Sequence, residues 1–155
     1  MIRNLEQFKN FLIKAKTSSY ANSDDRVFLQ SPLPDSKLLE FKEGNFTYRD
    51  IYFGSMQFAG QETVSLNDKV IWTMNYTGQS QTDENLVAIY DFLCKALLQI
   101  SVTSPFRGPT ELSGESGFYY KNKFKGDIDF FHGEETIMQN DVIIYRLYYS
   151  GGWVS

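Results

Sequence analysis

Residues 58–78 read FAGQETVSLNDKVIWTMNYTG, and residues 131–151 repeat the pattern as FHGEETIMQNDVIIYRLYYSG. On either side of a central Asn-Asp pair, apolar residues alternate with polar ones, which is typical of a β-strand with one buried face. Asn and Asp tolerate the positive φ of a tight turn. Each stretch therefore predicts an antiparallel β-hairpin. Nine residues recur at a constant offset of 73: Phe58, Gly60, Glu62, Thr63, Asn67, Asp68, Ile71, Tyr76 and Gly78 return as Phe131, Gly133, Glu135, Thr136, Asn140, Asp141, Ile144, Tyr149 and Gly151.

The repeat extends upstream of both hairpins. Apolar residues at helical spacing predict helices over residues 4–16 and 86–100, and FLIKA at residues 11–15 is echoed by FLCKA at residues 92–96. A proline-bearing segment and a further strand follow each helix. The second half has one extra residue between Gly126 and Phe131, which would form a bulge if it lay inside a ladder.

These patterns predict one α+β domain spanning residues 1–155. It is an internal duplication with halves of approximately 1–80 and 81–155, each a helix plus three or four antiparallel strands. The two helices are expected to pack on one antiparallel sheet or partly closed barrel. Asn4 is the predicted cap of the first helix, and Thr82 or Asp83 that of the second. Residues 17–36 are predicted to form a long surface loop.

Composition excludes several functional classes. The 155 residues have a formal net charge of −4 and a pI of about 5.0. This balance argues against nucleic acid as a direct partner and against an anionic membrane. A single cysteine, together with no apolar run of spanning length and no signal peptide, predicts a cytoplasmic protein. With one histidine and one cysteine, and no phosphate-binding or dinucleotide motif, the chain predicts neither a metal site nor a cofactor.

Six further segments are distinctive: LEFKEG at 39–44, YRDIYFG at 48–54, FAGQE at 58–62, WTMNYTG at 72–78, PFRGP at 105–109 and GEE at 133–135. Together they resemble a bacterial family of uncharacterised domains, whose members occur alone or behind a repressor-type helix-turn-helix domain. The resemblance covers nearly the whole chain and implies a sensory or regulatory role, but it supplies no catalytic residues.

Glu62 and Glu135 are the first candidate site residues. Each shares the parity of the apolar row of its strand, so both are expected to face inward as a related pair. Buried carboxylates are costly unless they are paired, and their pKa values shift. They could bind a cationic ligand or serve as general acid and base. The alternative is that both lie at the mouth of the strands, bonded to a backbone turn or to an arginine.

Two arginines are further candidates. Arg49 lies in a predicted strand and Arg107 in a rigid Phe-Arg-Gly-Pro turn. Either guanidinium could hold a carboxylate or phosphate through two parallel hydrogen bonds. The alternative for both is a structural salt bridge to a nearby glutamate.

Aromatic rows form the third candidate. Trp72 and Tyr76 in the first hairpin, with Tyr145 and Tyr149 in the second, could line a small-molecule cleft. The alternative is that they simply fill the core. Asn75 stands where the other half has Tyr148, an asymmetry expected if only one half kept a site.

Three functional hypotheses follow. The leading one is a non-enzymatic ligand-binding or regulatory domain with a pocket between sheet and helices. The second is a small hydrolase or isomerase that uses Glu62 or Glu135 as acid or base. The third is an interaction module that forms a homodimer through an exposed sheet edge.

Overall fold

The protein is described by a computed structural model that covers residues 4–20 and 28–155. Within these residues, two helices and eight strands follow one another along the chain. In order they are α1 (Leu5–Tyr20), β1 (Lys37–Glu43), β2 (Phe46–Gly54), β3 (Gln57–Leu66), β4 (Lys69–Ser80), α2 (Leu86–Leu97), β5 (Glu111–Ser113), β6 (Phe118–Asp127), β7 (Phe130–Gln139) and β8 (Val142–Trp153).

All eight strands form one antiparallel sheet in the order β1-β2-β3-β4-β8-β7-β6-β5. Consecutive strands pair within residues 37–80 and within residues 111–153, and β4 pairs with β8 at the centre. The α+β prediction is confirmed. The sheet is open, with β1 and β5 at its edges, so the barrel alternative is wrong.

The two predicted hairpins are β3–β4 and β7–β8. Their turns place Asn67 and Asp68 at φ 49° and 64°, and Asn140 and Asp141 at φ 49° and 65°. Both ladders shift register at matched places, after Val64 and after Ile137. The extra residue of the second half lies in the connection between β6 and β7, because Gly126 pairs with Phe131 whereas Gly54 pairs with Phe58. It therefore lengthens a turn and inserts no bulge.

The helix ends differ from the predictions in three places. Asn4 caps α1 as predicted, since its Oδ1 accepts a hydrogen bond of 3.0 Å from the Gln7 N–H. However, α1 continues to Tyr20, so residues 17–20 of the predicted loop are helical, and its residues 21–27 lie outside the described residues. The second helix ends at Leu97, three residues early. Its N-cap is Asn85 in the left-handed region, and the Thr82 hydroxyl instead accepts a bond from the Glu84 N–H.

One face of the sheet carries the core, and both helices pack on it. Phe8 of α1 contacts the rings of Phe46 and Trp72, and Phe92 of α2 stacks on Phe118. The segment after α2 also enters this core, because Phe106 is buried and stacks on the ring of Phe131. No helix in the described ranges is long and apolar enough to cross a membrane.

Candidate functional site

The first polar cluster in the core contains Asp50, Glu62 and Lys16. Asp50 on β2 stands directly opposite Glu62 on β3, so two carboxyl groups are cross-strand neighbours. The Nζ of Lys16, from α1, lies 2.7 Å from Glu62 Oε2 and also donates to the carbonyl oxygen of Phe106. Glu62 and Lys16 are fully buried and Asp50 is 6% exposed. When both carboxyl groups are ionised, the single lysine balances only one of the two negative charges. The two carboxylates also repel each other, because they stand directly opposite across the ladder.

The second cluster surrounds Glu135 and is complete. The Arg107 guanidinium grips its carboxylate in a fork, with Nε–Oε2 and Nη2–Oε1 distances of 3.1 and 2.8 Å. The hydroxyl of Tyr120 donates to Oε2 at 2.6 Å and that of Tyr145 to Oε1 at 3.0 Å. Asn122 stands opposite Glu135 at the place where the first half has Asp50. This cluster has one cation for one anion and a neutral amide beside them.

A tyrosine bonds the Asx side chain in both clusters. The Tyr76 hydroxyl donates to Asp50 Oδ1, and the Tyr149 hydroxyl donates to Asn122 Oδ1, each at 2.8 Å. Each ring passes over a glycine of the neighbouring strand. A Cβ on Gly60 would meet Tyr76, and one on Gly133 would meet Tyr149, at 2.3 Å. The recurring glycines therefore make room for these two hydroxyl groups.

Two buried polar groups in or next to the first cluster have no hydrogen-bond partner among the described residues. They are Glu62 Oε1 and the hydroxyl of Tyr48. Tyr120, at the place of Tyr48 in the other half, bonds Glu135 and also accepts from the Gly108 N–H. An unsatisfied buried polar group costs about 1–3 kcal/mol, so the first cluster is the less stable arrangement.

The pKa shifts of the charged groups also differ between the two clusters. Burial and, second, the charge of Glu62 raise the pKa of Asp50 to about 7, against the opposing effects of Tyr76, Lys16 and Arg107. Burial lowers the pKa of Lys16, and the neighbouring Glu62 acts to raise it. In the second cluster burial acts to lower the pKa of Arg107, but Glu135, Tyr20 and Tyr145 together outweigh it, and the pKa lies well above its usual range. Arg107 is therefore a fixed cation, whereas Asp50 changes charge near neutrality.

A cavity of about 270 Å³ lies between the sheet and α2, beside the first cluster. Asp50 and Arg107 contribute to its wall, Lys37 and Ser55 are exposed residues that line it, and α2 supplies its apolar side. Six of the sixteen described residues that line it are aromatic. They are Tyr20, Tyr52, Phe58, Tyr76, Tyr90 and Tyr145.

The sequence-predicted site residues divide between this region and elsewhere. Tyr76 and Arg107 line the cavity, and Glu62 and Glu135 lie buried within the two clusters. Trp72 is core, with its indole N–H donating to the Ile128 carbonyl at 3.0 Å. Arg49 and Asn75 point to the opposite face of the sheet, where they bond Glu40 and Gln61 respectively. For both arginines the observed partner is the salt bridge considered as the alternative.

Sequence reasoning did not single out Lys16 or Asp50. A signal for each was present in the chain. Lys16 lies four residues after Leu12 on the apolar stripe of α1, a position where a charge has to be buried or paired. Asp50 shares the parity of Phe46 and Tyr48, both of which are buried. What the pattern did not contain is the β2–β3 register that sets Asp50 against Glu62.

Residues 50–154 match the family model described as Domain of unknown function (DUF5680). The chain belongs to this family. The match includes Asp50, Glu62, Arg107 and Glu135 and begins after Lys16. No curated protein and no solved structure matches the chain. In the part of this DUF5680 chain that the structure describes, no group of three or more His, Cys, Asp or Glu side chains could hold a metal ion.

Proposed function

We propose that this DUF5680 protein is a non-enzymatic ligand-binding domain and that the cavity beside α2 is its site. The observation that carries the proposal is the Asp50 carboxyl, which is 6% exposed, lies in the wall of an aromatic cavity and belongs to the incomplete polar cluster. Concave sites with aromatic walls and a few convergent polar groups are the usual form of small-molecule sites. A regulatory use of that binding and a cytoplasmic location stay predictions.

An acid–base enzyme is a weaker interpretation of the same residues. Glu135 is fully buried and held by Arg107, Tyr120 and Tyr145. Glu62 is fully buried and forms an ion pair with Lys16. A general acid or base has to reach the proton that it transfers, and neither carboxylate lines the cavity. We therefore interpret Glu135 as a structural anion that fixes the loop carrying Arg107.

We further propose that the two halves are an internal duplication. The matched Asn-Asp turns, the matched register shifts and the two Tyr–Asx hydrogen bonds over glycine support it. A duplication gives two equivalent polar sites in one core. On this proposal one site kept the bonds that stabilise the fold and the other became the ligand site.

The function is tested by blocking the mouth of the cavity. Ser55 lines the cavity and is exposed, so Ser55→Trp is expected to obstruct entry while leaving the core intact. Met56→Trp, at the next exposed position and outside the lining, is the matched control. Native mass spectrometry would detect a co-purified small molecule, and NMR would follow binding of aromatic fragments. We expect binding in wild type and Met56→Trp and its loss in Ser55→Trp. Equal binding by all three proteins would overturn the proposal.

A further inference from the structure

We propose that the ligand of this cavity is a small organic cation whose ammonium group binds against the Asp50 carboxylate. This inference rests on the proposed function and adds the chemical class of the ligand. It rests on three features of the site: the number of buried charges, the ion pairs that the buried cations already make, and the aromatic wall.

The buried charges are unequal in number. Five charge-bearing side chains in the described core are at most 6% exposed: Lys16, Asp50, Glu62, Arg107 and Glu135. With every group ionised, three carboxylates face two cations, which leaves one uncompensated negative charge. Only Asp50 among the three carboxylates lines the cavity. A ligand with one positive charge would balance the cluster, whereas an anion would add to the excess.

The two buried cations near the cavity already have carboxylate partners, whereas Lys37, which also lines it, is exposed. Arg107 lines it, but Glu135 occupies its guanidinium through two hydrogen bonds. Lys16 lies 2.7 Å from Glu62. An anionic ligand would therefore have to compete with a buried intramolecular carboxylate. A cation meets no such competitor at Asp50, which accepts a single side-chain hydrogen bond, from Tyr76, among the described residues.

The wall of the cavity suits an ammonium group. Tyrosine faces attract cations, and the attraction strengthens when water is excluded. The structure already shows the contact at the rim, where Lys37 Nζ lies 5.7 Å from the centroid of the Tyr52 ring and 5.6 Å from that of Phe28. Tyr76, which bonds Asp50, and the buried Tyr145 also line the cavity.

Binding of such a cation requires Asp50 to be ionised, so the affinity depends on pH. The groups that face Asp50 are Tyr48 on its own strand, Glu62 on β3, Tyr76 on β4, Lys16 and Tyr20 on α1, and Arg107 in the loop after α2. The pKa values of the three tyrosines and of Arg107 lie well above their usual ranges, so these groups keep their charge state near pH 7. Because the pKa of Asp50 is raised to about 7, affinity should fall as pH drops below that value, by about tenfold per pH unit.

Three probes of similar size and different charge test the ligand class: phenethylamine as its ammonium ion, phenethyl alcohol and phenylacetate. NMR titration of wild-type protein is expected to show phenethylamine binding at least about tenfold more tightly than the alcohol, with phenylacetate weakest. Asp50→Asn should abolish the preference for the cation and its pH dependence. The substitution is conservative, because Asn122 in the other half accepts the equivalent tyrosine bond. Lys37→Gln, at an exposed position that lines the cavity, should strengthen binding of the cation.

The outcomes separate the two proposals. Equal binding of phenethylamine and the alcohol, or tighter binding of phenylacetate, would overturn the cation inference and leave the cavity as a binding site. A preference for phenethylamine that persists in Asp50→Asn would also overturn it. Failure of all three probes to bind the cavity would remove both the cation inference and the proposed function.

Discussion

The Glu135 cluster and the Glu62 cluster occupy matched places in the two halves of the sheet and reach opposite outcomes. In the Glu135 cluster, one carboxylate meets a bidentate arginine, two tyrosine hydroxyl groups and a neutral Asn122 across the ladder. In the Glu62 cluster, Glu62 meets a single lysine, faces Asp50 across the ladder, and lies near a tyrosine hydroxyl without a partner among the described residues.

The difference shows how one scaffold can separate stability from binding. Both halves share the hairpin turns, the glycines and the Tyr–Asx bond, so the backbone frame is the same. The side chains of the second half satisfy one another, which locks the loop carrying Arg107. Those of the first half leave an uncompensated charge beside a cavity, a cost that folding alone does not explain. The first half is therefore where we place the ligand.

The largest expected effect comes from breaking the complete cluster. Arg107→Met leaves Glu135 buried without its cation and should lower the free energy of unfolding by about 3–5 kcal/mol in urea denaturation. Arg49→Met removes an exposed pair with Glu40 and should change it by less than about 1 kcal/mol. Adding Glu135→Gln to Arg107→Met should recover much of the loss, since the amide keeps an acceptor for the tyrosines. If the two arginine variants were equally stable, the Glu135 cluster would not be a stabilising centre.

The second largest expected effect is a gain in the free energy of unfolding, from Asp50→Asn. The raised pKa of Asp50 means that the folded state holds its proton more tightly than the unfolded state, so stability falls as pH rises from about 4 to about 7. At pH 8 the ionised carboxylate is uncompensated, and Asp50→Asn should raise the free energy of unfolding by about 2–4 kcal/mol. At pH 5 the gain should shrink. Exposed Asp83→Asn is the control. A gain independent of pH would show that Asp50 is not the titrating group.

The smallest expected effect is the difference between removing the hydroxyl of Tyr120 and removing that of Tyr48, its counterpart in the other half. Tyr120→Phe removes hydrogen bonds to Glu135 and from Gly108, and should cost about 1.5–3 kcal/mol. Tyr48→Phe removes a hydroxyl that has no hydrogen-bond partner among the described residues, so its effect should lie within about 0.5 kcal/mol of zero or be stabilising. Thermal or urea unfolding of the two variants gives the answer. Equal losses would mean that the Tyr48 hydroxyl also makes a stabilising hydrogen bond and that the two clusters do not differ in this respect.

Local pattern accounts for much of the fold. The hairpins were predictable because alternation with period two and the Asn-Asp turns act within a few residues. The inward parity of Glu62 and Glu135 was visible for the same reason. A salt bridge from Arg107 to a glutamate was among the alternatives, but its particular partner, Glu135, was not predictable, because the burial of Phe106 brings that loop into the core. Asp50 needed the register between β2 and β3, and Lys16 needed the packing of α1, both of which are tertiary facts. Arg49 follows the outward parity of its strand and lies away from the cavity.

The central pairing of β4 with β8 has a consequence for folding kinetics. Every other strand pairing in the described sheet joins neighbours in the chain, so each four-stranded unit can form through local contacts. The β4–β8 seam instead joins Tyr76 to its distant counterpart Tyr149 and requires a long loop to close. Non-local pairings of this kind slow folding. Amide protection in a pulse-labelling experiment should therefore appear within each unit before it appears along the seam.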